Sequence, residues 1–270
     1  MLRGPAEGRV VVYLHGMPGS RREQLVFPDA AIERQGLRLL SIDRPGWGDT
    51  DALAGDRIAR VADVTAVCNH LGVEKFPLLA LSSGGSYALT LAAVEPQRVE
   101  RVVLAAAQMP YDDDGAIQGL LADQLALLPL LRNGRTPELV EGVEVWRQSV
   151  LADPLATFDS SIKSFTERER ALLATPAFRD MLVDDMREGL RLRVDGALDD
   201  LITWPVPFEV DLGAVLCPVV AFHGSEDNWE PLPNLRRILK QLADAQLIVA
   251  EGLSHFAPEL YPELVLALTK

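Results

Sequence analysis

Phe76-Pro77-Leu78-Leu79-Ala80-Leu81-Ser82-Ser83-Gly84-Gly85-Ser86-Tyr87-Ala88-Leu89 decides how this chain folds. An apolar run that reads as a buried strand enters small residues around a serine, then a helix-forming stretch. That succession marks a nucleophile elbow, a strand-to-helix turn sharp enough to lift one side chain clear of the sheet. The turn demands small residues two before and two after the lifted one. Around Ser82 these are Ala80 and Gly84, and both fit; around Ser83 they are Leu81 and Gly85, and Leu81 fits badly. Ser82 is therefore the candidate nucleophile, in the pattern Ala-x-Ser-x-Gly. A serine in a Gly-rich loop also serves as a turn residue or helix cap, so the rest of the chain must carry the reading.

A serine hydroxyl is a poor nucleophile at neutral pH. It needs a base in hydrogen-bond reach, an acid that orients the base, and N–H donors for the developing oxyanion. The base candidate is His255, in a loop after the strand-like run Gln246–Val249. Of the other histidines, His70 reads as a surface helix residue, His223 as shaping a strand end, and His15 as a structural hydrogen-bonding residue. The acid candidate is Asp227, in His223-Gly224-Ser225-Glu226-Asp227-Asn228-Trp229-Glu230-Pro231, with Glu226 and Glu230 as alternatives. The oxyanion donors are the backbone N–H of Met17, in His15-Gly16-Met17-Pro18-Gly19-Ser20 after the strand Val10–Leu14, and that of Ser83. The order Ser82, Asp227, His255 is the order of one particular fold.

Taken with Asp43-Arg44-Pro45-Gly46-Trp47-Gly48, these segments make the chain resemble the α/β-hydrolase superfamily, in the branch of proline iminopeptidases and related small hydrolases. The family has Gly where this chain has Ala80. The resemblance implies that Ser82 is the nucleophile, His255 the general base and then acid, and Asp227 its orienting partner. It implies an oxyanion hole from Met17 and Ser83 N–H, and no cofactor. Relatives carry two antiparallel strands before the His-Gly strand. Only nine residues precede Val10 here, so an uncovered sheet edge is expected, open to pairing in a homodimer.

Strand-like and helical stretches alternate up to Val99–Ala105 and again from Val215, which predicts a mostly parallel sheet covered by helices on both faces. Sites in such sheets sit at the carboxyl ends of strands, where all four candidate segments fall. Between them, helical periodicity predicts helices at Gly115–Leu131, Pro137–Leu151, Glu167–Leu173 and Phe178–Leu190. The expected division is a core of 1–108 and 211–270 and a helical cap of 109–210 that covers Ser82 and shapes the substrate pocket. Trp229 is a candidate pocket residue. Trp47 either lines the pocket or packs against its own loop. Asp112-Asp113-Asp114 reads as a solvated acidic turn and not a metal site, and no metal ligand set is expected.

At 270 residues, 48% of them hydrophobic, the chain can bury one substantial core. Its net charge of −13 argues against nucleic acid and anionic membranes as partners. Cys68 and Cys217 read as buried free thiols. No run of about 20 apolar residues spans a membrane and no apolar leader opens the chain, so the expected compartment is the cytoplasm. The expected partner is a small-molecule substrate. The expected function is hydrolysis of a carboxylic ester or lactone through an acyl-enzyme. An aminopeptidase or amidase and a C–C bond hydrolase are the alternatives, with a small-molecule receptor or biosynthetic tailoring enzyme as a different class on the same fold.

Overall fold

Runs of Val, Leu and Phe build seven strands, and the computed structural model describes residues 1–269. In chain order the elements before the insertion are β1 (Leu2–Arg3), β2 (Arg9–Leu14), α1 (Asp29–Arg34), β3 (Leu37–Ser41), α2 (Arg57–His70), β4 (Phe76–Leu81), α3 (Gly84–Val94) and β5 (Val99–Ala105). The insertion holds α4 (Ala122–Leu131), α5 (Pro137–Ala152), α6 (Pro154–Ser161), α7 (Glu167–Leu173), α8 (Pro176–Leu190) and α9 (Asp195–Thr203). Then come β6 (Val219–Gly224), α10 (Leu232–Leu239), β7 (Ala245–Ala250) and α11 (Tyr261–Ala267). The strands lie in the order β1-β3-β2-β4-β5-β6-β7, parallel except for β1.

Successive strand side chains point to opposite faces, and the core divides accordingly. Val12, Leu14, Leu78 and Ala80 pack with Val61 and Val64 of α2 and Leu235 and Ile238 of α10. Val11, Tyr13, Leu79 and Leu81 face the other way, toward Ile32, Leu264 and the insertion's Leu182, Met186 and Leu198. The insertion thus shares one apolar core with the sheet. The register Leu14↔Ala80, Ala80↔Leu104, Ala105↔Phe222 and Gly224↔Ala250 brings the four candidate loops to one edge of the sheet.

The N-terminus corrects the expectation of an uncovered edge at β3. Gly4, at φ +115°, bends the chain so that Leu2 and Arg3 pair antiparallel with Leu40 and Leu39. The N-terminal ammonium donates to Ser41 O at 2.6 Å, and the Arg3 guanidinium holds the carbonyls of Gln24 and Phe27 at 2.6 Å each.

The insertion differs from its sequence reading at three places. The helix expected from Gly115 starts at Ala122, because Gly119 at φ +92° and a run of turns precede it. Helix α6 follows α5 directly: Asp153 ends one and caps the other, its carboxylate accepting the Ala156 N–H at 3.0 Å. Helix α9 lies beyond the last of the four expected helices, at the end of the insertion. Asp112 and Asp113 pair with Arg237 at 2.6 and 3.1 Å. Among the described residues no helix is long and apolar enough to cross a membrane.

Gly84 lies where α3 crosses the end of β2, and a Cβ there would stand 2.3 Å from Leu14 O. Backbone cannot yield as a side chain can. Gly84→Ala is expected to cost about 1–3 kcal/mol, the usual scale of overpacking, measured by urea unfolding.

Candidate active site

Ser82 sits at the end of β4 with φ +50°, in the left-handed region that side chains rarely adopt. The strained turn is held by backbone bonds on both sides. Ser82 N–H donates to Ala105 O at 3.0 Å, and Ser82 O accepts from Gly85 and Gln108 N–H at 2.9 Å each. The Ser82 side chain lines a cavity of about 300 Å³. Ser83 does not compete for that position. Its hydroxyl contacts Arg44 Nη2 at 3.1 Å and Asp200 Oδ2 at 3.3 Å. Its N–H belongs to the N-terminal turn of α3, the positive end of the helix dipole.

His255 lines the same cavity. Its Nδ1–H donates to Asp227 Oδ2 at 2.9 Å, which leaves Nε2 free to accept a proton. Asp227 Oδ1 accepts from the N–H of Trp229 at 2.9 Å and of Glu230 at 3.0 Å. Glu226 is exposed, and the Glu230 carboxyl is taken by the Tyr111 hydroxyl, so of the three carboxylates in this loop Asp227 reaches the imidazole. His223 Nε2–H donates to Glu230 O at 2.8 Å and braces the loop, as a strand-end residue should.

Burial pulls the His255 pKa down, but Asp227, with Glu169 and Glu230 behind it, outweighs that and pushes it up to about 9. Burial likewise works against the Asp227 carboxylate, yet the charge and hydrogen bond of His255 hold it below the ordinary range. His15 shows the opposite case. Burial, with Arg44 beside it, drives its pKa well down. Its Nε2 accepts the Arg44 N–H at 3.1 Å and its Nδ1–H donates to Gly16 O at 2.8 Å, so it is a neutral brace for the Gly16–Met17 loop.

That loop is pinned from several sides. Arg44 Nη2 donates to Gly16 O at 3.1 Å, and Gly16 N–H donates to Glu23 Oε2 at 2.7 Å. Met17 and Pro18 line the cavity, and so does Trp229. Trp47 does not, which closes the alternative that it is a pocket residue. Gly46, at φ +82°, turns the loop so that the Trp47 ring is fully buried against Gly196, where a Cβ would meet it at 2.4 Å, and edge-on to His15 at 5.8 Å.

Three carboxylates at the site escaped the sequence reading. Glu169 of α7 is buried, and its Oε1 accepts the Phe256 N–H at 2.8 Å, so the insertion holds the His255 loop. Thr166 and Ser254 add a hydroxyl contact of 2.7 Å beside it. Asp200 of α9 takes the Arg44 guanidinium in a two-pronged pair at 2.5 and 2.7 Å and accepts the Tyr87 hydroxyl at 2.8 Å. Glu23 lines the cavity and bonds to Tyr13. Only Asp200 left a trace in the sequence, because it shares a helical face with the small residues Gly196 and Ala197.

A family profile described as alpha/beta hydrolase fold matches residues 9–260. A 2-hydroxy-6-oxononadienedioate/2-hydroxy-6-oxononatrienedioate hydrolase of Cupriavidus pinatubonensis is 25% identical, over 93% of this chain and 82% of its own length. A pimeloyl-[acyl-carrier protein] methyl ester esterase of Vibrio campbellii is 24% identical, over 92% and 88%. Among solved structures, a bromoperoxidase from Bacillus anthracis superposes with a TM-score of 0.70 at 20% identity, covering 97% of this chain and 89% of its own.

Two measurements test this geometry without any substrate. Asp200→Ala leaves the buried Arg44 charge unpaired and is expected to cost about 3–5 kcal/mol in denaturant unfolding. An NMR titration should place His255 near 9, and Asp227→Asn should bring it down. Because the folded value lies above the unfolded one of about 6.5, this contact stabilises the fold fully below that pH and loses its contribution as pH rises through about 9.

Proposed function

The chain belongs to the α/β-hydrolase fold family, and on that premise we propose that it is a serine hydrolase that cleaves a small-molecule carboxylic ester or lactone through an acyl-enzyme. The observation that carries the proposal is the 2.9 Å contact between His255 and Asp227, with His255 and Ser82 both lining one cavity. Ser82 Oγ attacks the carbonyl carbon while His255 Nε2 takes the hydroxyl proton. Asp227 holds the ring in the tautomer that leaves Nε2 open and stabilises the imidazolium that forms. Met17 and Ser83 N–H receive the oxyanion, with the α3 N-terminus adding its dipole. His255 then protonates the leaving oxygen, and a water activated by the same nitrogen releases the acid. Residues 109–210 act as a cap over this chemistry, excluding water and shaping the pocket.

A C–C bond hydrolase is the second reading, favoured by the name of the Cupriavidus relative. Its printed substrate is a dicarboxylate. Among the described residues, those lining the cavity include Glu23 and no lysine or arginine, a poor seat for two carboxylates, so the ester reading is preferred.

A fluorophosphonate should add once to Ser82, read by intact mass and peptide mapping, and Ser82→Ala should abolish the adduct. The same variant is expected to lose on the order of 10⁴-fold or more in turnover of an ester that the wild type cleaves; retained turnover would sink the proposal. Since only neutral His255 can accept the proton, kcat/KM should rise with pH, with its midpoint alkaline of an ordinary histidine, toward about 9.

A further inference from the structure

Among the described residues that line the cavity, Glu23 is the one with a carboxyl side chain, and His255 and two serines are also polar. It is almost fully buried. Its Oε2 accepts both the Tyr13 hydroxyl at 2.5 Å and the Gly16 N–H at 2.7 Å. Its Oε1 accepts no hydrogen bond from the described residues. A Cβ on Gly16 would lie 3.0 Å from Oε1 and 3.1 Å from Ser82 Cβ, so the spare oxygen stands on the nucleophile's side of the loop.

A carboxylate in that place opposes the negative charge that develops on the carbonyl oxygen, and an apolar cavity screens it little. A positive charge on the substrate removes the opposition. The walls suit such a charge, because Trp146, Phe158, Phe165, Trp229 and Phe256 line the same space and aromatic faces attract cations. The chain's net charge of −13 favours the approach of a cation.

We propose that this cavity takes substrates whose acyl part carries a cationic nitrogen, seated between Glu23 Oε1 and the aromatic walls, so that Glu23 selects the substrate class. The proposal rests on the serine-hydrolase reading above. Burial raises Glu23 to about 7, although Tyr13, Gly16 N–H, Arg44 and His255 pull the other way. Tyr13, Arg44, Asp185, Tyr261 and His255 are the titratable and charged groups around it. Selection should therefore strengthen as pH rises through about 7.

The test uses two fluorophosphonates of one shape. Their alkyl chains on phosphorus end in trimethylammonium in one and in the neutral tert-butyl group in the other. In labelling, the Ser82 Oγ–P bond forms, the P–F bond breaks, the hydroxyl proton passes to His255 and fluoride leaves. At about pH 8 the cationic probe should label the wild type about tenfold faster or more, the scale of one charge-assisted contact. Glu23→Gln keeps an amide oxygen for Tyr13 and Gly16 and should bring the ratio near one. In the wild type the ratio should climb with pH around the midpoint given for Glu23; if Glu23→Gln does not fold, this profile decides alone. A ratio that neither pH nor the variant changes overturns this inference and leaves the activated serine standing. No labelling by either probe overturns both.

Discussion

The Arg44 guanidinium is the hub on which the site depends. It is buried, pairs with Asp200 at 2.5 and 2.7 Å, touches Gly16 O and Ser83 Oγ at 3.1 Å each, and lies 4.5 Å above the Tyr87 ring. One cation thus joins the loop after β2, the start of α3 and helix α9 of the insertion. A charge this deep is tolerable only with its counter-ion and hydrogen bonds complete. The pair therefore dictates where α9 sits, and α9 brings with it the rest of the insertion. Arg57 adds a second tie, donating to Thr203 O at 2.5 Å and Val206 O at 2.9 Å at the far end of the same helix.

The two sides of the cavity answer different demands. The floor belongs to the sheet edge and is rigid, because backbone bonds hold Ser82 in a conformation it would otherwise avoid. The roof belongs to the insertion and is apolar, contributing Trp146, Phe158, Phe165 and Leu182. Charge is held back from the space itself, with His255 and Glu23 as the ionisable residues that line it. The carboxylates beside His255 push its pKa up against burial, whereas burial raises Glu23 against the pull of its neighbours.

What the sequence made legible follows from which constraints are local. The elbow, the acid loop and the His-Gly strand are short segments in which spacing alone restricts the backbone, so Ser82, Asp227 and His255 could be picked out and the structure brings them to one edge. The α/β alternation was readable because a buried parallel strand is apolar throughout, as Phe76–Leu81 is. Long-range pairings were not readable. Glu169 lies in Glu167-Arg168-Glu169-Arg170, which reads as a solvated charge run until the fold sets it against Phe256 N–H. The two-residue strand β1 is too short to show periodicity, and Trp47 could be placed only once α9 presented Gly196 to it. The acid test of a motif is local; the burial of a charge is decided by a partner more than 80 residues away.

The bond from Glu169 to the Phe256 amide limits how the insertion can be replaced. It makes the insertion a structural partner of the histidine loop as well as a wall of the pocket. Another insertion cannot be grafted onto this sheet as a free cassette. A graft must carry, or rebuild, an acceptor for that amide and a counter-ion for Arg44. A replacement can change the apolar lining of α5, α6 and α8, while two acidic positions on α7 and α9 tie it to the sheet.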